Sequence, residues 1–156
     1  RVNILNPGPG VGGHCIAVDP WFLVDSAPDE AVLIRTARER NLAKTEWVVE
    51  EILRRAAANA PGRRPTVAVM GLAYKANIDD LRESPALYIA RRRNAEAVDL
   101  RVCEPNIASH AEFDLLPPQS AVDGADLVVF LVAHREFVEV DTRDVAVMDV
   151  CGARRG

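Results

Sequence analysis

The stretch that decides the fold is TVAVMGLAY, residues 66–74, a run rich in β-branched and small apolar residues that leads into a glycine. Three similar runs follow it along the chain: DLRVCEP at 99–105, ADLVVFLVA at 125–133 and DVAVMDVCG at 144–152. The run at 125–133 is continuously apolar, which is typical of a parallel strand buried on both faces. We therefore predict four strands of one parallel sheet.

A helix is predicted between the first two of these strands. The segment SPALYIARRR begins with Ser84 as the cap and Pro85 at the first helical position, which proline prefers. Strands that alternate with helices indicate an α/β fold with a Rossmann-like parallel sheet.

A long helix is predicted upstream of the sheet, within residues 25–62, with Ser26 as its cap. The run NAPGRRP at 59–65 ends it, so we divide the chain into 1–61, with a glycine-rich loop and the helix, and 62–156, with the sheet. The apolar residues of the helix from Leu33 to Ala56 exceed what one small domain can cover, which predicts a homodimer through this helix.

Composition excludes several classes of protein. The net charge of −4 argues against a general nucleic-acid binder. The longest apolar run, at 125–133, is too short to span a bilayer. Three widely spaced cysteines form a poor disulfide framework, so we expect a reducing, cytoplasmic environment. Because the chain begins at Arg1, directly before a dense motif, we also expect it to be part of a longer protein.

That motif is NPGPGVGGHCIAVDPWF, residues 6–22. Its glycines permit a positive φ and a close approach of the backbone to a ligand. If residues 14–19 form a helical turn, Cys15 and Asp19 share one face. A nucleophile, a polarising loop and a carboxylate are the components of covalent catalysis.

Other interpretations of the motif stay open at this point. A glycine- and proline-rich turn can simply bury a cysteine. A cysteine hydrolase needs a histidine base, for which the candidates are His14, His110 and His134, and none of them lies in a protease signature. A zinc site is disfavoured because no CxxC pair is present, and we predict no metal.

Four short motifs resemble one known family in the same order. GPGVGGHCIAVDP, residues 8–20, resembles the active-site cysteine motif of the UDP-glucose/GDP-mannose dehydrogenase family. GLAYKANIDDLRESPA at 71–86 resembles the start of that family's C-terminal nucleotide-sugar domain, and EPN at 104–106 and HREF at 134–137 resemble its later motifs. The run GGHCIAVDPWF at 12–22 most resembles the branch that acts on UDP-N-acetyl-D-mannosamine, and Val18 stands where the glucose branch usually has lysine.

The resemblance implies a two-step, NAD-dependent oxidation of a sugar C6 alcohol to a carboxylate. Cys15 would form a thiohemiacetal and then a thioester, and Asp19 would help water to hydrolyse the thioester. The alternatives are a dehydrogenase for UDP-N-acetylglucosamine or UDP-glucose, and a non-catalytic fragment that binds a nucleotide sugar and dimerises. The run GPGVGG is not the family's GxGxxG dinucleotide loop, because no strand precedes it and no long helix follows at once.

The resemblance also assigns roles to particular residues. The UDP-sugar substrate would contact the loop residues Asn6, Gly8, Gly10 and Gly12 and, after the first strand, Tyr74 and Lys75. The cofactor NAD would lie near Cys15, Val18 and Arg82. For Arg82 a salt bridge with Asp79, Asp80 or Glu83 is an equal alternative. Arg154 and Arg155 are candidates for a C-terminal arginine that contacts the substrate.

Overall fold

A computed structural model of the chain describes residues 6–92 and 97–154. Its helices are α1 (Asp19–Ser26), α2 (Val32–Asn59), α3 (Pro85–Arg91) and α4 (Pro118–Val122), and its strands are β1 (Thr66–Met70), β2 (Asp99–Cys103), β3 (Leu127–Phe130) and β4 (Ala146–Asp149). A 3₁₀ turn, Arg135–Phe137, lies between β3 and β4.

The four strands form one parallel sheet in the order β2–β1–β3–β4. Val67 of β1 pairs with Leu100 of β2 on one side and with Leu127 of β3 on the other, so β1 is an inner strand. Each of the four predicted runs contains one strand, and the α/β prediction is confirmed. The chain leaves β1 toward β2 and then returns to β3 on the opposite side of β1. In open α/β sheets, ligands bind at the carboxyl ends of the strands where such connections diverge.

Both faces of the sheet are covered. Successive side chains of a strand point to opposite faces. Val67 and Val69 of β1 pack with α2 and α3 in one apolar cluster, whereas Ala68 and Met70 pack with α4 in a second cluster. This double coverage explains why β3 is apolar at every position.

The start of α3 follows the predicted capping pattern. The Ser84 hydroxyl accepts a hydrogen bond from the backbone N–H of Leu87 at 3.2 Å, and Pro85 occupies the first helical position. The same hydroxyl donates to the backbone carbonyl of Leu72 at 2.6 Å. The cap therefore also fixes α3 to the segment that follows β1.

The long helix predicted within residues 25–62 is present as α2, but the predicted cap at Ser26 was wrong, because residues 19–26 form a separate short helix. The short helix α1 ends at Ser26, whose hydroxyl donates back to the Phe22 carbonyl, and α2 begins only at Val32. Proline disfavours helical backbone at the residue before it. Ala27 precedes Pro28 and has φ −143° and ψ 67°, so the chain breaks between the two helices.

The packing of α2 corrects part of the prediction that this helix forms a homodimer. Val48 and Ile52, on its second half, are buried against the chain's own sheet and α3. The first half differs, because Leu33 is 81% exposed and Leu42 is 51% exposed. Val48 and Ile52 are therefore unavailable to a partner, whereas the exposed apolar side chains, which continue as far as Trp47, are available. None of the helices in the described ranges combines the length and hydropathy that a bilayer crossing requires.

Candidate functional site

Cys15 lies on an exposed turn that leads into α1. Its carbonyl oxygen accepts hydrogen bonds from the backbone N–H groups of Val18 at 3.1 Å and Asp19 at 2.8 Å. The bond from Asp19 has the i to i+4 spacing of an α-helix, which puts the side chains of Cys15 and Asp19 on one face. Both residues are exposed. The turn thus presents a thiol and a carboxylate together, as the covalent hypothesis requires.

The other two cysteines are in different environments. All three thiols are free, and Cys15 alone is exposed. Burial raises the pKa of the Cys103 thiol and of the Cys151 thiol to about 12 in each case. A thiol with so high a pKa is almost entirely protonated near neutral pH and is a poor nucleophile. Cys15 is therefore the one cysteine placed for chemistry with a soluble substrate.

Gly12 and Gly13 lie directly against the segment 71–86. A Cβ atom on Gly12 would lie 2.5 Å from the Glu83 carbonyl oxygen and 2.7 Å from Cβ of Tyr74, so only glycine fits there. Gly13 has φ +85°, and its N–H donates to the carbonyl of Arg82 at 3.2 Å. The cysteine motif and the motif at 71–86, which are far apart in sequence, are therefore one packed unit.

The loop before Gly12 is held by α2. Thr45 donates its hydroxyl to the Pro9 carbonyl at 2.9 Å, and the Asn41 side-chain oxygen accepts from the Val11 N–H at 2.9 Å. A Cβ atom on Gly10 would lie 2.7 Å from the Thr45 hydroxyl oxygen. Gly10 is thus required for contact with the protein itself.

Glycine permits a positive φ at each position of this motif, but the structure uses that freedom at only one of them. Among Gly8, Gly10, Gly12 and Gly13, the left-handed conformation occurs at Gly13 alone. Asn6 is exposed, and a Cβ atom on Gly8 would meet no described atom within 4 Å. The start of the loop is therefore open to a ligand, and its contact with a sugar stays a prediction.

Tyr74 and Lys75 lie on the loop after β1, at the carboxyl edge of the sheet. This loop begins at Gly71, where φ is +97° and a Cβ atom would lie 2.5 Å from Cβ of Val132. Tyr74 packs against Gly12 and Gly13, whereas Lys75 is exposed. An ammonium group is thus placed where this fold class binds ligands.

Arg82 forms a salt bridge with Asp80, one of the two alternatives predicted for it. Its Nε lies 3.0 Å from both carboxylate oxygens and its Nη2 lies 2.6 Å from Oδ2. Hydrogen bonding to Asp80 raises the pKa of Arg82, and the nearby Tyr74 and Cys15 add smaller contributions. Hydrogen bonds from Arg82 lower the pKa of Asp80 to about 2. The guanidinium is therefore paired with Asp80 and remains largely exposed.

A buried polar network that the sequence reasoning missed lies beneath this loop. The Glu104 Oε2 atom accepts from the N–H groups of Leu72 at 2.7 Å and Ala73 at 3.0 Å. The same oxygen lies 3.0 Å from Nε2 of His134, and both side chains are fully buried. The Nδ1 atom of His134 accepts from the Asn77 N–H at 2.9 Å. The network thus connects the segments that follow β1, β2 and β3.

The hydrogen bonds define the chemical state of this network. A backbone N–H can only donate, so Nδ1 of His134 is the acceptor and Nε2 carries the proton given to Glu104. Burial alone would raise the pKa of Glu104, but hydrogen bonds from His134, Leu72 and Asn106 lower it to about 2. Glu104 is a carboxylate, and His134 is engaged on both ring nitrogens. Of the three histidines proposed as a base, His134 is therefore occupied away from Cys15.

Two further features involve neither Cys15 nor Lys75. A groove of about 370 Å³ between α2 and α3 is lined by residues that include Asn41, Thr45 and Tyr88, but not by Cys15 or Lys75. Arg154 donates to the Val140 carbonyl at 2.8 Å, so its side chain is used in holding the segment after the 3₁₀ turn. Arg155 lies outside the described residues.

The chain matches two models of one protein family. Residues 68–152 match the UDP-binding domain of the UDP-glucose/GDP-mannose dehydrogenase family, and residues 1–43 match the central domain of the same family.

Individual relatives agree with these matches. An NDP-N-acetyl-D-galactosaminuronic acid dehydrogenase of Ralstonia solanacearum is 52% identical over 147 residues, which cover 91% of this chain and 34% of that protein. A UDP-N-acetyl-D-mannosamine dehydrogenase of Campylobacter jejuni is 48% identical over 153 residues, which cover 93% of this chain and 37% of that protein. The chain thus spans about a third of the length of these relatives.

A solved structure shows the same fold. The UDP-N-acetyl-mannosamine dehydrogenase from S. aureus superposes with a TM-score of 0.80 at 36% identity, over all of this chain and 38% of that chain. Because the model of the UDP-binding domain alone matches more than half of the chain, and the cysteine turn packs against that domain, the chain belongs to the UDP-glucose/GDP-mannose dehydrogenase family.

Proposed function

We propose that these residues form the nucleotide-sugar site and the active-site cysteine of an NAD-dependent 6-dehydrogenase. The substrate that we propose is UDP-N-acetyl-D-mannosamine, which is oxidised to the uronic acid. One observation carries the proposal: Gly12 and Gly13 pack on Tyr74 and Glu83, so the turn with Cys15 and the loop with Lys75 belong to one site. The name of the relative from Campylobacter jejuni supports the choice of sugar.

Cys15 is the proposed nucleophile. Its thiolate attacks the C6 aldehyde carbon and forms a thiohemiacetal, which is oxidised to a thioester. Water then attacks the thioester carbonyl and the C–S bond breaks, which gives the carboxylate and regenerates the thiol. Sulfur suits both steps, since it is strongly nucleophilic and leaves readily from the thioester. Asp19, one helical turn away, takes the proton from the attacking water.

Lys75 is the proposed contact for the diphosphate of UDP. A lysine ammonium is a compact point charge that binds phosphate oxygens well. Its loop follows the inner strand β1, at the edge of the sheet where ligands bind in open α/β folds. Tyr74, the neighbour of Lys75 in the loop, contacts the same substrate, and the backbone of residues 6–12 contacts the sugar.

Arg82 is the proposed contact for the phosphates of NAD. The Nη1 atom of Arg82 is not used in the pair with Asp80, and the side chain is 64% exposed. An exposed guanidinium with free donors can bind phosphate oxygens. Cys15 and Val18 would lie near the nicotinamide ring. When bound, NAD supplies the hydride acceptor for both oxidations.

A second sugar is favoured by a specific observation. The Ralstonia solanacearum relative, at 52% identity, carries a name that refers to an N-acetyl-galactosaminuronic acid. An NDP sugar of the galacto configuration is therefore the second candidate substrate. UDP-N-acetylglucosamine and UDP-glucose complete the set that a substrate screen compares.

A homodimer and a cytoplasmic location complete the proposal. Exposed large apolar side chains lie on the turn before α1, on α1 and on α2 from its start to just past its middle: Ile16, Phe22, Leu23, Val32, Leu33, Leu42 and Trp47. A second copy of the chain would cover this surface. Three free thiols fit a reducing compartment such as the cytoplasm.

Calorimetric titration of the 156-residue chain with UDP tests the proposal. We expect UDP to bind and expect Lys75→Met to weaken the binding by about tenfold, the size expected when a contact to a charged group is lost. Lys44→Met, which removes the charge of an exposed lysine on α2, is the matched control and should bind UDP like the wild type. Absence of UDP binding, or equal binding by Lys75→Met, would contradict the proposal.

The same chain should show no dehydrogenase activity alone. Its matched regions are the central and UDP-binding domains of the family, so NAD⁺ should bind to it weakly. NADH formation at about 1 s⁻¹ or faster with UDP-N-acetyl-D-mannosamine, a rate within the normal enzyme range, would contradict this expectation.

A further inference from the structure

We propose that Glu104 and His134 are positioning residues that hold both ends of the loop carrying Tyr74 and Lys75. The inference rests on the proposed function in taking Lys75 as the diphosphate contact. Neither Glu104 nor His134 can touch a ligand, since both side chains are fully buried. Their effect on the site therefore passes through the loop.

The first end of the loop is held by Glu104. One carboxylate oxygen, Oε2, accepts from the N–H of Leu72 at 2.7 Å and from the N–H of Ala73 at 3.0 Å. Hydrogen bonds to an ionised acceptor are about twice as strong as those between neutral groups. These two residues come directly before Tyr74 and Lys75, so the loop leaves β1 in a fixed direction.

The second end is held by His134 and its neighbour. The Asn77 N–H donates to Nδ1 of His134 at 2.9 Å, and the Asn77 side-chain oxygen accepts from the Arg135 N–H at 2.9 Å. Asn77 has φ +60°, a left-handed conformation that costs free energy and persists only where contacts with the surroundings offset that cost. The two reciprocal bonds supply those contacts.

A direct bond joins the two holding groups. Nε2 of His134 lies 3.0 Å from Oε2 of Glu104, and the Asn106 N–H donates to Oε1 of Glu104 at 3.0 Å. The loop therefore cannot shift at its first end without breaking a hydrogen bond to the buried carboxylate, or at its second end without breaking one to the buried imidazole. A loop fixed before binding loses less conformational entropy when the ligand arrives, which strengthens binding. This explains how an exposed lysine can be held in place for a diphosphate.

The test compares Glu104→Gln with a matched control in the 156-residue chain. Asp126→Asn is the control, because the Asp126 carboxylate also accepts a backbone N–H, from Thr66 at 2.8 Å, but at the opposite edge of the sheet. The readouts are amide hydrogen exchange by NMR at Ala73 and Asn77, and the dissociation constant for UDP by calorimetry. We expect Glu104→Gln to speed exchange at both amides and to weaken UDP binding, each by about tenfold, because a neutral amide replaces the charged acceptor of these hydrogen bonds and its NH₂ group cannot accept. Asp126→Asn should change neither readout.

A double variant separates positioning from a general loss of stability. If Glu104 acts through Lys75, Lys75→Met combined with Glu104→Gln should bind UDP no more weakly than Lys75→Met alone. Unchanged exchange at Ala73 and Asn77 in Glu104→Gln would overturn the inference, even if UDP binding falls. An unchanged affinity in Lys75→Met would instead overturn the proposed function, whereas faster loop exchange in Glu104→Gln would still support the holding of the loop.

Asn77→Gly keeps the test decisive if Glu104→Gln does not fold. Asn77 is exposed and glycine accepts φ +60°, so this change removes mainly the bond to the Arg135 N–H. We expect faster exchange at the Arg135 amide and a UDP affinity weaker by about threefold, in line with the loss of one ordinary hydrogen bond. Unchanged exchange and affinity in this variant would overturn the inference.

Discussion

The imidazole of His134 and the carboxylate of Glu104 lie 3.0 Å apart at the carboxyl edge of the sheet, and both side chains are fully buried from water. The residues come from the ends of different strands, and they meet because parallel strands place all their carboxyl ends at one edge. Through backbone N–H groups the pair reaches the loop after β1, which carries Lys75. The buried pair is thus hydrogen-bonded to the loop that carries the candidate ligand residue Lys75.

The stability of the protein should fall in acid in part because of Glu104. Its pKa is about 2 in the folded chain, against an ordinary value of 4.5. Because the folded pKa is the lower one, the carboxylate contributes its full stabilisation above the unfolded pKa and loses it as the pH falls through the folded pKa. The difference in Tm between wild type and Glu104→Gln should therefore be large near neutral pH and shrink as the pH falls from 4.5 toward 2. Thermal unfolding followed by circular dichroism at several pH values measures it, and a difference that is independent of pH would contradict this role.

Gly12→Val should abolish UDP-sugar binding and leave the sheet folded. A side chain at position 12 would collide with the Glu83 carbonyl and Tyr74, which separates the cysteine turn from the loop after β1. Ala58→Val is the matched control, because it adds apolar bulk at an exposed position near the end of α2, outside both motifs. Calorimetry with UDP-N-acetyl-D-mannosamine and circular dichroism check the two variants. Equal binding by both would show that contact between the two motifs is not needed.

Cys15 should be the first thiol to react with an alkylating reagent. It is exposed, whereas burial raises the pKa of both Cys103 and Cys151 to about 12. Brief treatment with iodoacetamide near neutral pH, followed by peptide mass spectrometry, should find the label on Cys15. In the Cys15→Ser variant, labelling should require denaturant. Rapid labelling of Cys103 in the native chain would be inconsistent with the buried environment of that thiol.

Leu33→Asp should weaken self-association without lowering the Tm. Leu33 is 81% exposed, so the new charge stays hydrated in the monomer and is buried only in a dimer. Val48→Asp should behave differently and destabilise the monomer itself, since Val48 is fully buried against the chain's own core. Sedimentation velocity over a range of concentrations, together with thermal unfolding, separates the two effects. A wild-type chain that stays monomeric at high concentration would contradict a dimer formed by these residues alone.

Local patterns predicted the sheet well. The strand runs and the Ser84 cap depend on neighbouring residues, so the sequence contains the information directly. The break between α1 and α2 was missed although its signal was present, because Pro28 suits the first turn of a helix and also disfavours helical backbone at Ala27. The Ser26 hydroxyl could cap a helix that begins after it or, as in the structure, donate back to a carbonyl of the helix that ends at it.

Contacts between distant segments could not be predicted in this way. Helical spacing identified Val48 and Ile52 as buried, but it cannot tell whether the chain itself or a partner covers them. The glycines at 10 and 12 were predicted as ligand contacts, and their additional packing against Thr45 and Tyr74 was not foreseen because it joins distant segments. The pairing of Glu104 with His134 depends on strand order, which periodicity does not define.

The most direct test of the central claim, that Cys15 carries the covalent chemistry, is an intact-mass measurement on a complete dehydrogenase that carries this segment. The Asp19→Asn enzyme is incubated with UDP-N-acetyl-D-mannosamine and NAD⁺ and then analysed by mass spectrometry. We expect a thioester-linked sugar on Cys15 to accumulate, because hydrolysis is slow without the Asp19 carboxylate, and we expect Cys15→Ser to carry no adduct and to be inactive. An active Cys15→Ser enzyme, or an Asp19→Asn enzyme that turns over normally with no adduct, would contradict the claim.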